Sequence, residues 1–480
     1  MYQSPQMSRQ RYIVTDTIWL PDLSQYPGPK YLGLSRALRD AIRAGELPAG
    51  SQLPTVRDLA WRLHLTPGTV ARAYQLATQE GVLAATVGRG TFVAARTPRL
   101  GPTQPIYRER VTGGATGLVD LRPPHVPLVG QAEAFHAALL VMADNIDDSW
   151  LDYTSQLGEA PLRAEIVAWM GDRILGQISP ADVMLTNGGQ NAIGLVFDCC
   201  LRGDRPIVLV EELAYPGFRL AARAARAEVV GVEIDDDGIL PEALEAACRR
   251  QGAQVLCLTT EAQNPTTSRM PLERRQQLAD IARKFDLQVI EDDCYSVAES
   301  KLPSLRALAP ERVWHIGSLS KTVSAALRFG YVICPSGMGE AGRLVAQHAF
   351  YALSRPVAEL CHGILASGAA AGIRARVQAE FADRLQTMVN LLGAFDLRWQ
   401  PGVPFVWLLL PQGWRVSSFT RKAETAGVLV RPADEYALIG GRAPNAVRLA
   451  VAGHLPRDQF DAALVKLAWL LGNPPGGLAV

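Results

Sequence analysis

The stretch SLSKTVSAALRFG, residues 318–330, places Lys321 between small hydroxyl residues and Arg328 seven positions later. The apolar run before it and the pattern after it predict the junction of a strand and a helix. A lysine at such a junction can form a Schiff base with an aldehyde cofactor if burial depresses its pKa. A lone lysine is more commonly a solvated surface residue, so the chemistry of Lys321 depends on the rest of the chain.

Short Val, Ile and Leu runs alternate with amphipathic helical patterns over much of the chain. DVMLTNG precedes GQNAIGLVFDCCL, RPIVLVEE precedes GFRLAARAAR, and LERRQQLADIARKF lies between QVLCLTT and LQVIEDD. This alternation predicts an α/β fold with a mostly parallel, doubly wound sheet. Neither G-x-G-x-x-G nor G-x-x-x-x-G-K-[ST] follows a predicted strand, so dinucleotide and P-loop binding have no support in the sequence.

Polar and aromatic groups follow several of these strands, at the sheet edge where such folds bind ligands. TNGGQNA sets Gly188, Gly189 and Gln190 at a strand-to-helix turn, where backbone N–H groups can hold a phosphate. VIEDDCY sets Asp292 just past a strand, where a carboxylate can keep a heterocyclic nitrogen protonated. Each feature alone is also an ordinary turn or cap. In chain order the further candidates are Tyr215, Asn264, Tyr295, Lys321, Arg328 and Arg448.

Residues 30–95 contain three helical patterns followed by two short strands. The third pattern, LTPGTVARAYQLATQEG, begins with Thr66 as N-cap and Pro67 at the first helical position, and it leaves Thr69 and Arg72 on the outer face. VLAATVGRGTFVAA then predicts a basic hairpin. Together these elements describe a winged helix, whose third helix enters the DNA major groove. A small helical domain with an ordinary charged surface would give a similar pattern.

The composition is that of a globular protein with more than one domain. Of 480 residues, 48% are apolar and 20% are charged, and the formal net charge is +1. Residues 30–96 carry nine Lys or Arg against four Asp or Glu, and this excess of +5 leaves about −4 for the remainder, which favours a nucleic-acid-facing N-terminal unit. Seven scattered cysteines without a C-x-x-C pair argue against a disulfide framework and a zinc site. Without an apolar leader or a run of ~20 apolar residues, the protein is expected to be cytoplasmic.

Residues 45–93, GELPAGSQLPTVRDLAWRLHLTPGTVARAYQLATQEGVLAATVGRGTFV, resemble the GntR-type winged helix over their full length. The resemblance implies DNA contacts from four side chains and from the tip of the wing. These residues are Arg57, Thr66, Thr69, Arg72, Gly88, Arg89 and Gly90. Pro67 and Gly68 stand where many relatives have Arg, Ser or Thr, which weakens the base readout expected at the start of the third helix.

Residues 118–475 resemble the fold type I aminotransferases, which bind pyridoxal 5′-phosphate (PLP). The resemblance implies that Lys321 carries the cofactor, that Asp292 pairs with the pyridine nitrogen, and that Arg448 binds an amino-acid carboxylate through a bidentate fork. For Arg448 a structural ion pair is the alternative. Other ring contacts implied in this way are Tyr295 and Asn264 at the ring oxygen and Tyr215 stacked on the ring. The implied phosphate contacts are Gly189, Gln190, Ser318, Ser320 and Arg328, joined by Tyr153 from the partner subunit.

A GntR-type winged helix fused to an aminotransferase-like body resembles the MocR subfamily of transcriptional regulators. The predicted organisation is a lead-in at 1–29, the winged helix at 30–95, a Pro/Gly/Arg-rich linker at 96–117, and a PLP-binding domain with large and small subdomains at 118–480. Two stretches depart from the family. SAALR follows Lys321 where relatives usually have Pro-Gly, and residues 431–443, RPADEYALIGGRA, match only loosely. We expect the second stretch to shape the pocket mouth.

Three functions are compatible with these features. The first is a PLP-dependent transcriptional regulator, a head-to-tail homodimer on repeated half-sites of double-stranded DNA, whose small amine or amino-acid effector acts through the bond between the cofactor and Lys321. The second is a PLP-dependent amino-acid aminotransferase that carries a DNA-binding head. The third is a sensor of PLP itself, against which Arg448 argues because such a sensor needs no carboxylate clamp. The winged helix favours the first, since metabolic transamination has no use for it.

Overall fold

The chain divides into two compact units, Met1–Pro105 and Ile106–Val480. The computed structural model describes residues 19–86, 90–94, 118–295, 300–438 and 441–475. The predicted linker at 96–117 and the wing-tip residues Gly88 and Arg89 lie outside the described residues.

The first unit is the expected winged helix-turn-helix. Its described elements are α1 (Lys30–Ala44), α2 (Val56–Arg62), α3 (Pro67–Gln79) and the antiparallel strands β1 (Leu83–Thr86) and β2 (Gly90–Val93). The hydroxyl of Thr55 caps α2 by accepting from the Asp58 N–H at 3.2 Å, and Thr66 caps α3 by accepting from the Thr69 N–H at the same distance. The cap at Thr66 was predicted from the sequence.

The core of this unit is formed by the predicted apolar faces of its helices. Leu34 and Leu38 of α1, Leu59 of α2 and Val70 of α3 are completely buried. Tyr74 joins them and donates from its hydroxyl to the Pro54 carbonyl at 2.9 Å. Because these side chains pack inward at helical spacing, the opposite face of α3 is left toward solvent.

The second unit has large and small α/β parts. Its described strands are β3 (Val119–Asp120), β4 (Val183–Thr186), β5 (Ile207–Glu211), β6 (Glu228–Val232), β7 (Ile234–Asp235), β8 (Gly238–Ile239), β9 (Val255–Leu258), β10 (Gln288–Asp292), β11 (Val313–Ser318), β12 (Gly330–Ile333), β13 (Leu397–Arg398), β14 (Phe405–Leu409), β15 (Val428–Leu429), β16 (Arg431–Pro432) and β17 (Ala446–Ala450). Its described helices are α4 (Gln131–Ala143), α5 (Ala160–Trp169), α6 (Gly189–Cys200), α7 (Pro216–Ala224), α8 (Pro241–Gln251), α9 (Leu272–Lys284), α10 (Leu305–Leu308), α11 (Gly339–Phe350), α12 (Arg355–Ala366), α13 (Ala369–Leu392), α14 (Val416–Thr425) and α15 (Arg457–Gly472).

A seven-stranded sheet forms the centre of the large part, in the order β4-β12-β11-β10-β9-β5-β6. The strands are parallel except β12, which runs antiparallel to both of its neighbours. The predicted mostly parallel sheet is therefore confirmed. Asp292 at the end of β10 lies opposite Ile316 of β11, so the residues that follow these two strands meet at one edge of the sheet.

The small part contains the antiparallel sheet β13-β14-β17-β16 and a β15-β3 pair. β17 lies between β14 and β16, so Arg448 faces Trp407 on one side and Arg431 on the other. No single helix of the described residues is long and apolar enough to span a membrane, although the bent pair α12 and α13, at 76°, passes the same test when joined.

The prediction of a helix directly after Lys321 is wrong. Ser318 of β11 pairs with Gly330 of β12, so the chain must reverse within the residues between them. Only a 3-10 turn, Ala325–Leu327, fits into this connection, and Arg328 ends it with a left-handed φ of 45°. Arg328 is therefore brought back toward the sheet by a hairpin-like turn.

Candidate cofactor and effector site

Lys321 lies just beyond β11, at the carboxyl edge of the central sheet. Its Nζ donates to the backbone carbonyl of Pro124 at 3.0 Å and lies 5.7 Å from the centre of the Tyr295 ring. Burial lowers the pKa of Lys321, the charge on Tyr295 opposes this shift, and the charge of Arg448 adds to it. A lysine with a lowered pKa has more of the neutral amine that reacts with an aldehyde.

Asp292 ends the neighbouring strand β10 and is buried. One carboxylate oxygen accepts from the backbone N–H of Cys294 at 2.9 Å. Burial raises the pKa of Asp292, and the hydrogen bonds from Cys294 only partly offset that effect. A cationic group placed against this carboxylate would favour its charged form, and a protonated pyridine nitrogen is such a group.

A glycine turn without a side-chain cap lies at the start of α6. Gly188 has a φ of 83° and precedes the helix, so the first N–H groups of α6 are open to a ligand. Arg328 reaches this turn by donating to the Asn187 carbonyl at 3.4 Å. A Cβ at Gly188 would stand 2.8 Å from Nη2 of Arg328, so only glycine lets the guanidinium approach the turn so closely.

The four remaining residues of the implied phosphate site lie on or directly after β11 and at the start of α6. The Ser318 hydroxyl donates to the Ser320 hydroxyl at 2.9 Å, and Ser320 directly precedes Lys321. Gly189 is the first residue of α6, and a Cβ there would stand 2.7 Å from Sγ of Cys294. Gln190 donates through Nε2 to the Gly217 carbonyl at 3.0 Å.

Arg448 lies on β17 and is completely buried. Its Nη1 donates to Oδ1 of Asn264 at 2.7 Å, and its Nη2 donates to the Arg122 carbonyl at 2.6 Å. Both acceptors are neutral oxygens, so these contacts do not form the structural ion pair that was the alternative for this residue. Among the described residues the guanidinium has no ion-pair partner, and a ligand carboxylate would supply one.

Two tyrosines line the space between these groups. The ring of Tyr295 lies 5.9 Å from Cζ of Arg448, close to the distance that separates it from the Lys321 amine. Burial raises the pKa of Tyr295, but the charges of Arg448 and Lys321 outweigh it and lower the pKa overall. Tyr215 caps α7 and meets Phe218 edge-on at 5.9 Å, and burial raises its pKa.

Buried polar atoms without partners test whether the pocket fits the cofactor. Among the described residues, Nδ2 of Asn264, Oε1 of Gln190 and Nε of Arg448 are buried and have no hydrogen-bond partner. Such atoms are rare in folded proteins and indicate a missing ligand or water. They lie on residues implied at the ring oxygen, the phosphate and the carboxylate, so the residues present fit PLP and an amino acid.

A buried ion-pair chain lies next to Asp292, and the sequence reasoning missed it. Nε of Arg173 donates to Oδ2 of Asp293 at 2.7 Å. His315 lies between Asp293, at 3.8 Å, and Glu291, at 3.3 Å. Burial would raise the pKa of Glu291, but the hydrogen bond and charge of His315 and the donors around it hold it at about 2. Spacing alone gave no signal, because Arg173 is 120 residues from its partner.

Arg431 and Tyr436 also line this pocket without having been predicted as site residues. The centre of the Tyr436 ring lies 5.4 Å from Cζ of Arg431 and 5.3 Å from Cζ of Arg448. The sequence signal for these residues was the loose family match of residues 431–443. A pocket wall that differs from that of relatives is expected where the bound ligand differs.

Tyr153 is separate from these contacts in the described structure. Its side chain is 80% exposed, and its ring stacks on Tyr351 at 5.1 Å. An exposed tyrosine of this kind is free to meet another molecule.

The predicted DNA-contacting side chains that are described lie on α2 and α3. Arg57 and Arg72 are exposed, and Cζ of Arg72 stacks over the Tyr31 ring at 4.1 Å. The hydroxyls of Thr66 and Thr69 bond each other at 2.9 Å at the start of α3. Gly90 begins β2 with a φ of 111°, and a Cβ there would stand 2.7 Å from Nε2 of Gln52. Gly88 and Arg89 lie outside the described residues.

Comparisons with known proteins agree with this two-part architecture. The family model of aminotransferase class I and II matches residues 127–467, and that of bacterial regulatory proteins of the gntR family matches residues 30–93. An uncharacterized HTH-type transcriptional regulator of Bacillus subtilis (strain 168), YdeF, is 30% identical over 95% of this chain and 97% of its own. The chain belongs to the MocR subfamily of GntR-type transcriptional regulators.

Other relatives of this MocR protein include a regulator and an enzyme. The HTH-type transcriptional regulator TauR of Rhodobacter capsulatus is 27% identical over 83% of this chain and 88% of its own. The structure of LysN, an α-aminoadipate aminotransferase of Thermus thermophilus complexed with N-(5′-phosphopyridoxyl)-L-leucine, is 27% identical with a TM-score of 0.66, covering 74% of this chain and 92% of that one. The shared fold and the phosphopyridoxyl complex identify PLP as the cofactor of the MocR chain.

Proposed function

We propose that this MocR protein regulates transcription in response to a small amine or amino acid that binds in the Lys321 pocket. Bound PLP supplies an aldehyde for which Lys321 and the amino group of the effector compete. Lys321 has a second partner in the Pro124 carbonyl, at 3.0 Å, so its side chain has a defined position when it does not hold the cofactor. That exchange of partners offers two states between which an effector can choose.

The observation that carries the proposal is Arg448. This guanidinium is completely buried, its described acceptors are neutral oxygens, and its Nε has no partner among the described residues. A buried charge is unfavourable unless it is paired. An amino-acid carboxylate would supply that pair, whereas a sensor of PLP alone would leave Arg448 uncompensated.

The other pocket residues are proposed to hold the cofactor. Asp292 would face the pyridine nitrogen, Tyr295 and Asn264 the ring oxygen, and Tyr215 the ring itself. The phosphate would be bound by Gly189, Gln190, Ser318, Ser320 and Arg328. The aminotransferase alternative uses the same residues, and the complete winged helix favours the regulator.

We further propose that the protein is a homodimer through an apolar surface on and around α4. Helix α4 has no fully buried residue, which is unusual for so apolar a helix. Large exposed side chains on and near it include Leu139, Leu140, Val141, Leu128, Ile146, Leu151 and Leu157. Several large apolar side chains left exposed within one short part of the chain are typical of a protein–protein interface. The exposed Tyr153 lies in the same stretch, which supports its proposed contact with the partner subunit's phosphate site.

The dimer is tested by sedimentation of Leu140→Glu, with Val465→Glu as an exposed control on α15. We expect only the first variant to dissociate. A monomeric wild-type protein, or equal dissociation constants for both variants, would contradict this interface.

The regulator is tested by fluorescence anisotropy of DNA from the region upstream of its own gene, at fixed salt because phosphate contacts make affinity salt-dependent. Apo and PLP-loaded protein are compared with Lys321→Ala, and with Lys301→Ala as an exposed lysine control. We expect PLP to change DNA affinity or stoichiometry in the wild type and in Lys301→Ala but not in Lys321→Ala. DNA binding that is absent in every state, together with steady amino-acid turnover, would favour the enzyme.

A further inference from the structure

The loosely matching segment that begins at Arg431 is joined to the pocket by strand pairing. Arg431 lies directly opposite Arg448 in the antiparallel β16-β17 pair, and directly opposed residues project from the same face of a sheet. Five positions after Arg431, the Tyr436 carbonyl accepts from the Ala214 N–H at 3.1 Å. This bond fixes Tyr436 beside the residue that precedes Tyr215, so Arg431 and Tyr436 are both held against the pocket.

Tyr436 lies against both arginines and carries an unused hydroxyl. Its ring centre is 5.3 Å from Cζ of Arg448 and 5.4 Å from Cζ of Arg431, and the ring meets Trp407 edge-on at 6.3 Å. The side chain is 1% exposed, and its Oη has no hydrogen-bond partner among the described residues. A buried hydroxyl without a partner is unfavourable, so it indicates a group that the ligand supplies.

Arg431 also keeps part of its hydrogen-bonding capacity. Its Nε donates to Oε2 of Glu435 at 2.8 Å, and the described residues provide no hydrogen-bond acceptor for its two Nη groups. The charge of Arg431 reaches the pocket: burial raises the pKa of Tyr295, but Arg448, Lys321 and Arg431 together lower it. Glu435 therefore occupies only the Nε edge of the guanidinium. The two Nη groups, which can bind a carboxylate as a bidentate fork, stay available.

We infer that the effector is an α-amino acid with an acidic side chain, whose second carboxylate binds Arg431 and Tyr436. This inference rests on the proposed function, in which Arg448 binds the α-carboxylate. The unused groups of all three residues are donors: the Nη groups of Arg431, the Oη–H of Tyr436 and the Nε–H of Arg448. A carboxylate offers only acceptors and matches all of them.

Other side-chain chemistries fit this wall less well. An apolar side chain would leave the Tyr436 hydroxyl buried and unpaired, and sites built to hydrogen-bond a ligand reject analogues that lack the group. An amide side chain offers one acceptor oxygen where a carboxylate offers two, and among these three groups only the Tyr436 hydroxyl could accept from its NH₂. The part of the pocket formed by Arg431, Tyr436 and Arg448 should therefore bind an acidic side chain more tightly than its isosteric amide.

The test is a titration of the PLP-loaded protein with glutamate, glutamine and norvaline, followed by the absorbance of the bound cofactor and by tryptophan fluorescence. We expect glutamate, or aspartate against asparagine, to bind about ten- to a hundredfold more tightly than the amide or the apolar amino acid. Tyr436→Phe should weaken only the acid, by about three- to tenfold. Arg431→Gln should remove the preference for acid over amide, whereas Arg421→Gln, an exposed control, should keep it.

The outcomes separate this inference from the proposed function. If the acid, the amide and norvaline bind the wild type equally, the side-chain specificity is overturned while effector binding stands. If no amino acid changes either signal, the effector role falls, and this inference falls with it. If Arg431→Gln does not fold, Tyr436→Phe decides, and an unchanged preference for the acid in that variant overturns the inference.

Discussion

The DNA-facing side of the winged helix and the PLP pocket hold their key side chains in opposite ways. Arg57 and Arg72 are exposed, and the only described contact of the Arg72 guanidinium is the Tyr31 ring. Arg448 and Asn264 are buried, bond each other, and still keep donors without partners. One region presents its groups to a large polyanion, and the other encloses a small ligand.

This difference determines how each region tolerates change. An exposed side chain can be replaced with little effect on folding, so DNA preference can change without changing the fold. A buried, bonded charge cannot be removed alone, because its partner is then left uncompensated. Substitutions of exposed residues in the winged helix should therefore alter mainly DNA binding, and substitutions of buried residues in the PLP-binding domain should alter stability as well.

Arg173→Met should have the largest effect on stability. It would leave Asp293 buried without its 2.7 Å partner, and breaking a buried pair costs about 3–5 kcal/mol. Urea denaturation measures the free energy of unfolding. The double variant Arg173→Met/Asp293→Asn should recover part of the loss, and a single variant as stable as the wild type would refute the structural role of this ion-pair chain.

Glu211→Gln should change the pH dependence of stability. Burial raises the pKa of Glu211 to about 8 from an ordinary 4.5, so the folded chain keeps a proton that the unfolded chain releases. The free energy of unfolding should then fall as pH rises from about 4.5 to about 8, by up to about 1.4 kcal/mol per pH unit.

The glutamine variant should lack this component, because it cannot ionise. Unfolding at several pH values across that window provides the measurement, with the exposed Glu273→Gln as control. Equal slopes for the wild type and Glu211→Gln would show that Glu211 ionises alike in both states.

Arg72→Ala should weaken binding to specific DNA by about 1–3 kcal/mol if its guanidinium reads a base edge. The same substitution removes the stacking of the Arg72 guanidinium on the Tyr31 ring, which should lower the free energy of unfolding by only about 0.5–1 kcal/mol. Anisotropy and thermal unfolding of the same preparation separate the two effects, with the exposed Arg43→Ala on α1 as control. A loss of unfolding free energy larger than the loss of DNA-binding free energy would contradict the contrast between the winged helix and the PLP-binding domain.

Arg57→Ala should have the smallest effect. If the exposed Arg57 contacts a DNA phosphate, its loss should lower affinity for all DNA sequences alike and reduce the salt slope of binding by about 1. Titrations at three salt concentrations give the slope. A loss confined to one DNA sequence would instead assign Arg57 to base recognition.

The sequence predicted those parts of the molecule that depend on neighbouring residues. Thr66 and Pro67 identified the start of α3 because a cap and the first turn lie within a few positions of each other. The helix expected after Lys321 was wrong because the β11-β12 pairing, which is not visible in the local pattern, leaves no length for it.

Distant contacts were also invisible in the sequence. Pro124 is 197 residues from Lys321, and Arg431 meets Arg448 only through the register of β16 and β17. Motifs predicted the residues that we propose to hold the cofactor, whereas the residues that we propose to select the effector could be found only from the tertiary structure.

The most direct test of the central claim, that the buried pocket controls the exposed head, is DNA anisotropy with and without amino acid. PLP-loaded wild type and Arg448→Gln are titrated onto the same upstream DNA at fixed salt, each with glutamate absent or saturating for the wild type. We predict that both proteins bind DNA alike without the amino acid, and that glutamate changes affinity or stoichiometry only in the wild type. An amino acid that occupies the wild-type pocket but leaves DNA binding unchanged would contradict the account.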